Sequence, residues 1–367
     1  MARLRYVLAL LLISHYAVAQ VNGGRQMLSF LLVAQGPHTG ALGGVLAVNP
    51  APDVMLSRAN PALLRPEFHQ TLSVNYNFYY AGTKMSHVNY AFHHEKLQTT
   101  FGLGLTYFNY GELNQTNAIG QSTGTFQSAD YMLSLSASRR YLERWRYGAT
   151  LKYAHSRLAL QKAAALVADI GVVYADTAKA WYLGAVVKNA GVALKQYNPN
   201  APAPLPFDLQ IGIMKKFKKA PFAISVTGHH LYRWDIRYNN PADVVNNTLL
   251  FGDTTNTKTK TYFGDKLFRH LVFALDMRLG KRLELSAGYN HLRRSELAIT
   301  ERKGLSGFAL GVGVYLNKMN LHVAQSYYHV AGPYTEIGLS LNVNQWFGLG
   351  TMGNKINWSS QYAKQYQ

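Results

Sequence analysis

Three sets of residues in this 367-residue chain have types and spacings that could do chemistry. Ser225, His230 and Asp235 supply the nucleophile, base and acid of an acyl-transfer triad. Such a nucleophile usually sits in a Gly-x-Ser-x-Gly elbow, and the nearest match is Gly304-Leu305-Ser306-Gly307. Thirteen histidines invite a metal. His93-His94 and His229-His230, however, are adjacent in strand-like runs, so each pair projects to opposite faces and does not share one ion. Gly311-Val312-Gly313 runs on into Val314 and Tyr315 with no Gly-Lys-Ser/Thr to cradle a phosphate. Asn246-Asn247-Thr248 matches a glycosylation sequon and reads as loop composition. The expectation is a non-enzymatic chain with no catalytic residue, no metal site and no cofactor.

The elements around these residues point elsewhere. Phe101, Leu103, Leu105 and Tyr107 alternate with Thr100, Gly102, Gly104 and Thr106. A period of two with one oily and one small or polar face is a strand greased on one side only. The pattern recurs through fourteen runs, at about 70–80, 84–94, 98–109, 128–139, 144–157, 163–175, 178–188, 206–217, 220–233, 268–279, 282–292, 305–317, 319–329 and 334–346. Hydrophobic residues make up 48% of the chain but are dispersed by alternation, so the residues after position 19 contain no apolar run long enough for a helical span. Strands in lipid must close, because an open edge leaves N–H and C=O groups unpaired where water is absent. The predicted fold is an all-β transmembrane antiparallel β-barrel of about 14 strands.

Arg3 and Arg5, the apolar run Tyr6 to Ile13, and Ala17-Val18-Ala19 read as an export signal cleaved after Ala19. Residues 20–69 do not alternate; with Ala41-Leu42-Gly43-Gly44 and Asn60-Pro61-Ala62-Leu63-Leu64 they read as an N-terminal hatch or plug. The barrel then spans 70–347, and 348–367 is a polar tail. The absence of cysteine leaves inter-strand hydrogen bonding, not disulfides, to hold the structure.

Loop lengths sort by parity. The connections near Glu95, Glu143, Asp176, Lys219, Gly280 and Lys318 are short, and every long one (110–127, 189–205, 234–268, 292–304) falls on the other side. Outer-membrane barrels sort their loops this way, whereas sandwiches and propellers have no reason to. The net charge is +19, with basic residues such as Arg139-Arg140 and Lys218-Lys219 at strand ends. There they meet anionic lipid phosphates or simply solvent, and they do not form the single basic face of a nucleic-acid binder. Inward candidates Gly102, Gly104, Ser134, Ser136, Ser138, Ser286, Gly288 and Asn290 are small and weakly polar, as strand curvature favours, and no like-charged ring is read among them. Trp234, Tyr238, Phe251, Tyr262 and Phe263 in the longest loop, with Tyr197 in the loop before it, are candidate partner-binding anchors. A lid over the barrel mouth would use the same aromatics.

With a hatch and fourteen strands, the sequence resembles the FadL-type outer-membrane family and, within it, the PorQ-like barrels of the type IX secretion system of Bacteroidetes. The likeness runs from Leu28 to Leu341 through the two hatch motifs, Gly124-Thr125-Phe126 with Ala129-Asp130-Tyr131, and Pro204-Leu205-Pro206-Phe207. It continues through His229-His230-Leu231 with Trp234-Asp235, Arg269-His270-Leu271-Val272-Phe273, and Gly304-Leu305-Ser306-Gly307-Phe308. It implies a non-enzymatic barrel of a surface attachment complex. In that family the PorU sortase, with PorV as its barrel partner, removes the cargo's C-terminal signal and joins the cargo to anionic lipopolysaccharide, while PorQ-like barrels hold the surface protein PorZ. The alternative, by likeness to FadL itself, is a transporter of hydrophobic small molecules whose hatch moves and whose ligand leaves through a gap in the wall. Two departures stand out: the tail beyond Trp346-Phe347, and Pro50-Ala51-Pro52-Asp53 where FadL-type leaders often carry an acidic pair.

Overall fold

The structure, a computed structural model, describes residues 26–237, 263–296, 304–329 and 332–347. The export signal with Ala17 and Ala19, the loop aromatics Tyr238, Phe251 and Tyr262, and the tail 348–367 lie outside the described residues. Fourteen strands form the wall: β1 Thr71–Phe78, β2 Lys84–His94, β3 Thr99–Thr116, β4 Ser122–Tyr141, β5 Trp145–Leu158, β6 Gln161–Asp176 and β7 Trp181–Lys195, then β8 Asp208–Lys216, β9 Phe222–Gly228, β10 Leu271–Leu279, β11 Leu283–Asn290, β12 Phe308–Tyr315, β13 Met319–His329 and β14 Gly332–Asn342. Each strand pairs antiparallel with its sequence neighbours, and β1 pairs with β14 from Thr71↔Asn342 to Phe78↔Thr335, which closes the barrel.

The largest departures from the sequence reading are at four strand ends. β3, β4 and β7 extend well beyond the expected ends, to Thr116, from Ser122 and to Lys195. Polar residues such as Glu112 and Asn114 look like loop in the text, yet Glu112 still pairs with Gln127 and Asn114 with Thr125. The ladder needs only a neighbour, and beyond the apolar band both faces can meet water. β9, in contrast, stops at Gly228 and not near 233. The chain turns there because His229 N–H donates to the His270 carbonyl at 2.9 Å and His230 N–H to Asp208 Oδ1 at 2.6 Å, with His230 at φ 53°.

Alternation sorts the wall as expected. Leu103, Leu135 and Ile170 face outward and are 53%, 57% and 61% exposed, while Gly102, Gly104, Ser134 and Ser138 face inward and are buried. An apolar outer face on a closed ladder is a lipid-facing surface. The core lies inside the barrel: the hatch fills the lumen with short 3-10 turns and a short helix, Pro37–Ala41. Its Leu42, Leu46, Val48, Leu56 and Leu63 pack with Tyr182 and Met214 of the wall.

Inward glycines have a more specific cause than curvature. A Cβ on Gly148 of β5 would stand 2.6 Å from the Pro61 carbonyl, and one on Gly212 of β8 would stand 2.9 Å from the Ala47 Cβ. Gly102, Gly104 and Gly171 likewise face Leu64, Arg58 and Asn60. These are sockets in which the hatch sits against bare strand backbone. Two outcomes follow. Leu135→Arg should destabilise the barrel by roughly 2–4 kcal/mol in chemical unfolding from lipid vesicles, the cost of a cation facing mid-bilayer. Gly148→Leu should leave the wall heat-modifiable on gels but expose the hatch to limited proteolysis; a hatch that stays protected would refute the socket.

Candidate functional site

Asn60, Pro61 and Ala62 begin the 3-10 turn Pro61–Leu63. The fully buried Asn60 caps it, with Oδ1 accepting from Ala62 N–H at 3.0 Å, while Nδ2 donates to the carbonyls of Ala47 at 2.7 Å and Ala185 at 3.4 Å. One side chain thus caps its own turn, ties two hatch segments together and touches β7. Pro61 suits this because its fixed φ starts the turn and its missing N–H needs no partner.

The wall holds the hatch with polar side chains. Lys188 Nζ donates to the carbonyls of Arg58 at 2.9 Å and Ala59 at 3.0 Å. Asn290 and Arg293 both reach Gly43 O, Ser326 reaches Gly40 O, and Asn320 reaches Pro52 O. Arg58 of the hatch reaches back to Gln35, Ser134 and Thr106. Behind Lys188, Lys152 Nζ lies 2.5 Å from Asp169 Oδ2, and Asp169 Oδ1 accepts from Asn189 N–H at 2.8 Å. The interior is therefore not only small and weakly polar as read from sequence: Lys152, Asp169, Asp276, Glu284 and Glu336 are all buried inside it, with both signs present. The overlooked signal was a charged residue at inward parity within otherwise apolar strands, as in Thr150-Leu151-Lys152-Tyr153 or Ala168-Asp169-Ile170.

A second cluster joins hatch to wall near the short-turn end. His38 lies between Asp53 Oδ2, 3.5 Å from its Nδ1, and Glu284 Oε1 and Asp276 Oδ1, 3.0 and 3.6 Å from its Nε2. His322 stacks on it, with centroids 5.0 Å apart. Burial is the strongest influence on His38 and favours the neutral ring, but the charge of Glu284 and bonding to Asp276 and Asp53 outweigh it and hold the imidazole pKa well above its ordinary value. Burial likewise opposes the Asp53 charge, yet the bond to His38 and the charge of His322 keep its carboxyl below the usual range. A cavity of about 900 Å³ opens next to this cluster, bounded by Asn49–Pro52 of the hatch and by Lys216, Arg278 and Lys281 of the wall.

At the long-loop end, Trp234 stacks on His270 at 5.6 Å and meets Phe263 at 5.4 Å, and both aromatics are largely exposed. Tyr197 lies apart from them. It is half-buried over an internal apolar cluster, with its hydroxyl 2.5 Å from Ser156 Oγ. That cluster places Met27, Phe30 and Leu31 of the hatch among Met85, Phe108 and Met132 of the wall. His229 and His230 correct the sequence reading: they are off the strand, their Nδ1 atoms face each other, and both converge on Asp208. The triad residues are engaged elsewhere. Asp235 pairs with Lys266 at 2.8 Å and Arg237 at 3.1 Å, His230 with His229, and Ser225 lies inward on β9.

No family model and no curated protein sequence matches this chain. Among solved structures it is similar to the deltaS2 mutant of the TodX monoaromatic hydrocarbon channel, at 12% identity over 84% of this chain and 98% of that one, TM-score 0.47. It is similar also to the CymD monoaromatic hydrocarbon channel, at 12% over 84% and 97%, TM-score 0.47, and to the KdgM porin, at 4% over 74% and 98%, TM-score 0.31.

Two outcomes test the site. Lys152→Met leaves Asp169 without its nearest cation and should cost roughly 3–5 kcal/mol in chemical unfolding, as for other broken buried pairs. Burial, then His230, His270 and Arg293, hold the His229 imidazole well below its ordinary pKa. A ring whose folded pKa lies below its unfolded value near 6.5 contributes stability that is present above that pH and lost as pH falls through the folded pKa. Hydrogen exchange at residues 228–236, corrected for intrinsic rates, should therefore accelerate between pH 7 and 5; equal protection at both would overturn this.

Proposed function

We propose that the protein is an outer-membrane barrel that works as a sealed scaffold, holding a partner protein at the cell surface through its long-loop end. The observation that carries this reading is the filled lumen. Wall side chains grip the hatch around the circumference, and each described strand pairs with both neighbours, so neither the centre nor the wall offers a path among the described residues. At the long-loop end, Trp234, Phe263 and Phe268 stand exposed, the kind of rigid aromatic anchors that concentrate binding energy. The resemblance to PorQ-like barrels makes a PorZ-like surface protein of the type IX secretion system the proposed partner, near PorU and PorV, with lipopolysaccharide in the same leaflet.

A second reading is passage of hydrophobic small molecules, the activity after which the TodX and CymD monoaromatic hydrocarbon channels are described. In this chain it is favoured by the apolar chamber around Met85, Phe108, Met132, Tyr110 and Leu205, which Met27–Leu31 occupies. A mobile hatch would free that chamber for a ligand.

One comparison separates the two. Pull-down from detergent extract should recover a specific surface protein, and Trp234→Ala with Phe263→Ala should lower its recovery, each anchor contributing roughly 2 kcal/mol. Deleting residues 26–33 should leave recovery unchanged. Full retention by the double variant refutes the loop assignment. Loss of hydrocarbon uptake on deleting 26–33, with no partner recovered from the parent, establishes transport instead.

A further inference from the structure

The His38 cluster has more donors than a hatch-to-wall ion pair requires, and they are arranged in shells. Asp276 and Glu284 present Oδ1 and Oε1 to His38 Nε2 at 3.6 and 3.0 Å, and the three donor atoms lie within 4.8 Å of one another. Ligands on a tetrahedral ion at 2.0–2.1 Å are separated by roughly 3.3 Å, close to both spacings. Each donor is held from behind. Asp53 takes the far nitrogen of His38, the carboxylate–histidine arrangement that orients metal-binding imidazoles. Ser286 Oγ donates to Asp276 at 2.6 Å and Asn49 Nδ2 at 2.9 Å, while Arg278 and Tyr315 hold Glu284 at 2.8 and 3.1 Å.

A further observation points to a cation here. The buried His322, stacked on His38, has an Nε2 with no hydrogen-bond partner, and its ring contributes a donor within 4.8 Å of His38 and Asp53.

We propose that one divalent transition-metal ion of the zinc class binds His38 Nε2, Asp276 and Glu284, bridging the hatch to β10 and β11. Mixed imidazole and carboxylate donors suit zinc, manganese or iron(II) better than magnesium or calcium, which prefer all-oxygen shells. The assignment does not depend on what the barrel binds or carries. Its consequence is mechanical: the ion cross-links Pro37–Ala41 to the wall.

The test uses the full chain in detergent, stripped with a chelator and titrated with zinc chloride, with cobalt as a spectroscopic stand-in. The expected result is one equivalent of zinc by elemental analysis, a rise in the thermal midpoint, and a cobalt d–d band that His38→Gln removes. Glu284→Gln should abolish stoichiometric binding. Ser286→Ala, which keeps every ligand and the fold, should weaken it roughly 10- to 100-fold, and His94→Gln should leave it unchanged. Zinc uptake that Ser286→Ala and His38→Gln do not alter, or no stoichiometric uptake by the stripped parent chain, overturns the site and leaves a cluster held by protons alone.

Discussion

An irregular backbone sealed inside a closed barrel must find hydrogen-bond partners away from water, and the rest of this structure follows from that constraint. Hatch residues from Gln35 to His69 form few repetitive bonds of their own, so their carbonyls depend on what the wall presents. Inward asparagines, Lys188, Arg293 and Ser326 meet that need. Where the hatch comes too close for any side chain, the wall carries glycine. Sockets cluster on β3 to β8 and most donors on β11 to β14 and β1, and together they fix the hatch's position.

This arrangement also accounts for the buried charges. Asp169 inside a lipid-embedded barrel would be ruinous alone, but between Lys152 and Lys188 it is compensated, and Lys188 is thereby oriented onto the hatch carbonyls. Asp276 and Glu284 play the matching part on β10 and β11, holding His38. Both sets bridge strand and hatch. Removing one member therefore affects plug seating as well as wall stability, which couples the integrity of the barrel to closure of its lumen.

The long-loop end obeys a different logic. β3 to β7 run past the apolar band as paired strands, forming a one-sided rampart, while β8 to β12 stop short and give way to long connections. Trp234, His270 and Phe263 stack where the chain leaves β9 and returns to β10, so the exposed aromatics rest on a fixed base. A surface of that kind suits a partner that must be held in one orientation.

Much of this was legible in residue order. Alternation from Thr100 to Tyr107 and its repeats specify strand, face and closure, because a period of two in lipid admits one topology; loop parity follows from it. Asn60-Pro61 announces a capped turn without help from the fold. Pair partners across the lumen were not legible. Nothing near His38 in the chain foretells Asp276, Glu284 or His322, and nothing near Gly148 foretells Pro61, since those encounters depend on shear and on the path of the hatch through the barrel. The same limit misplaced His229 and His230, whose departure from the strand is caused by Asp208 and His270, 21 and 41 residues away from His229. Local periodicity is a property of neighbouring residues, whereas the interior network belongs to residues brought together only when the cylinder closes.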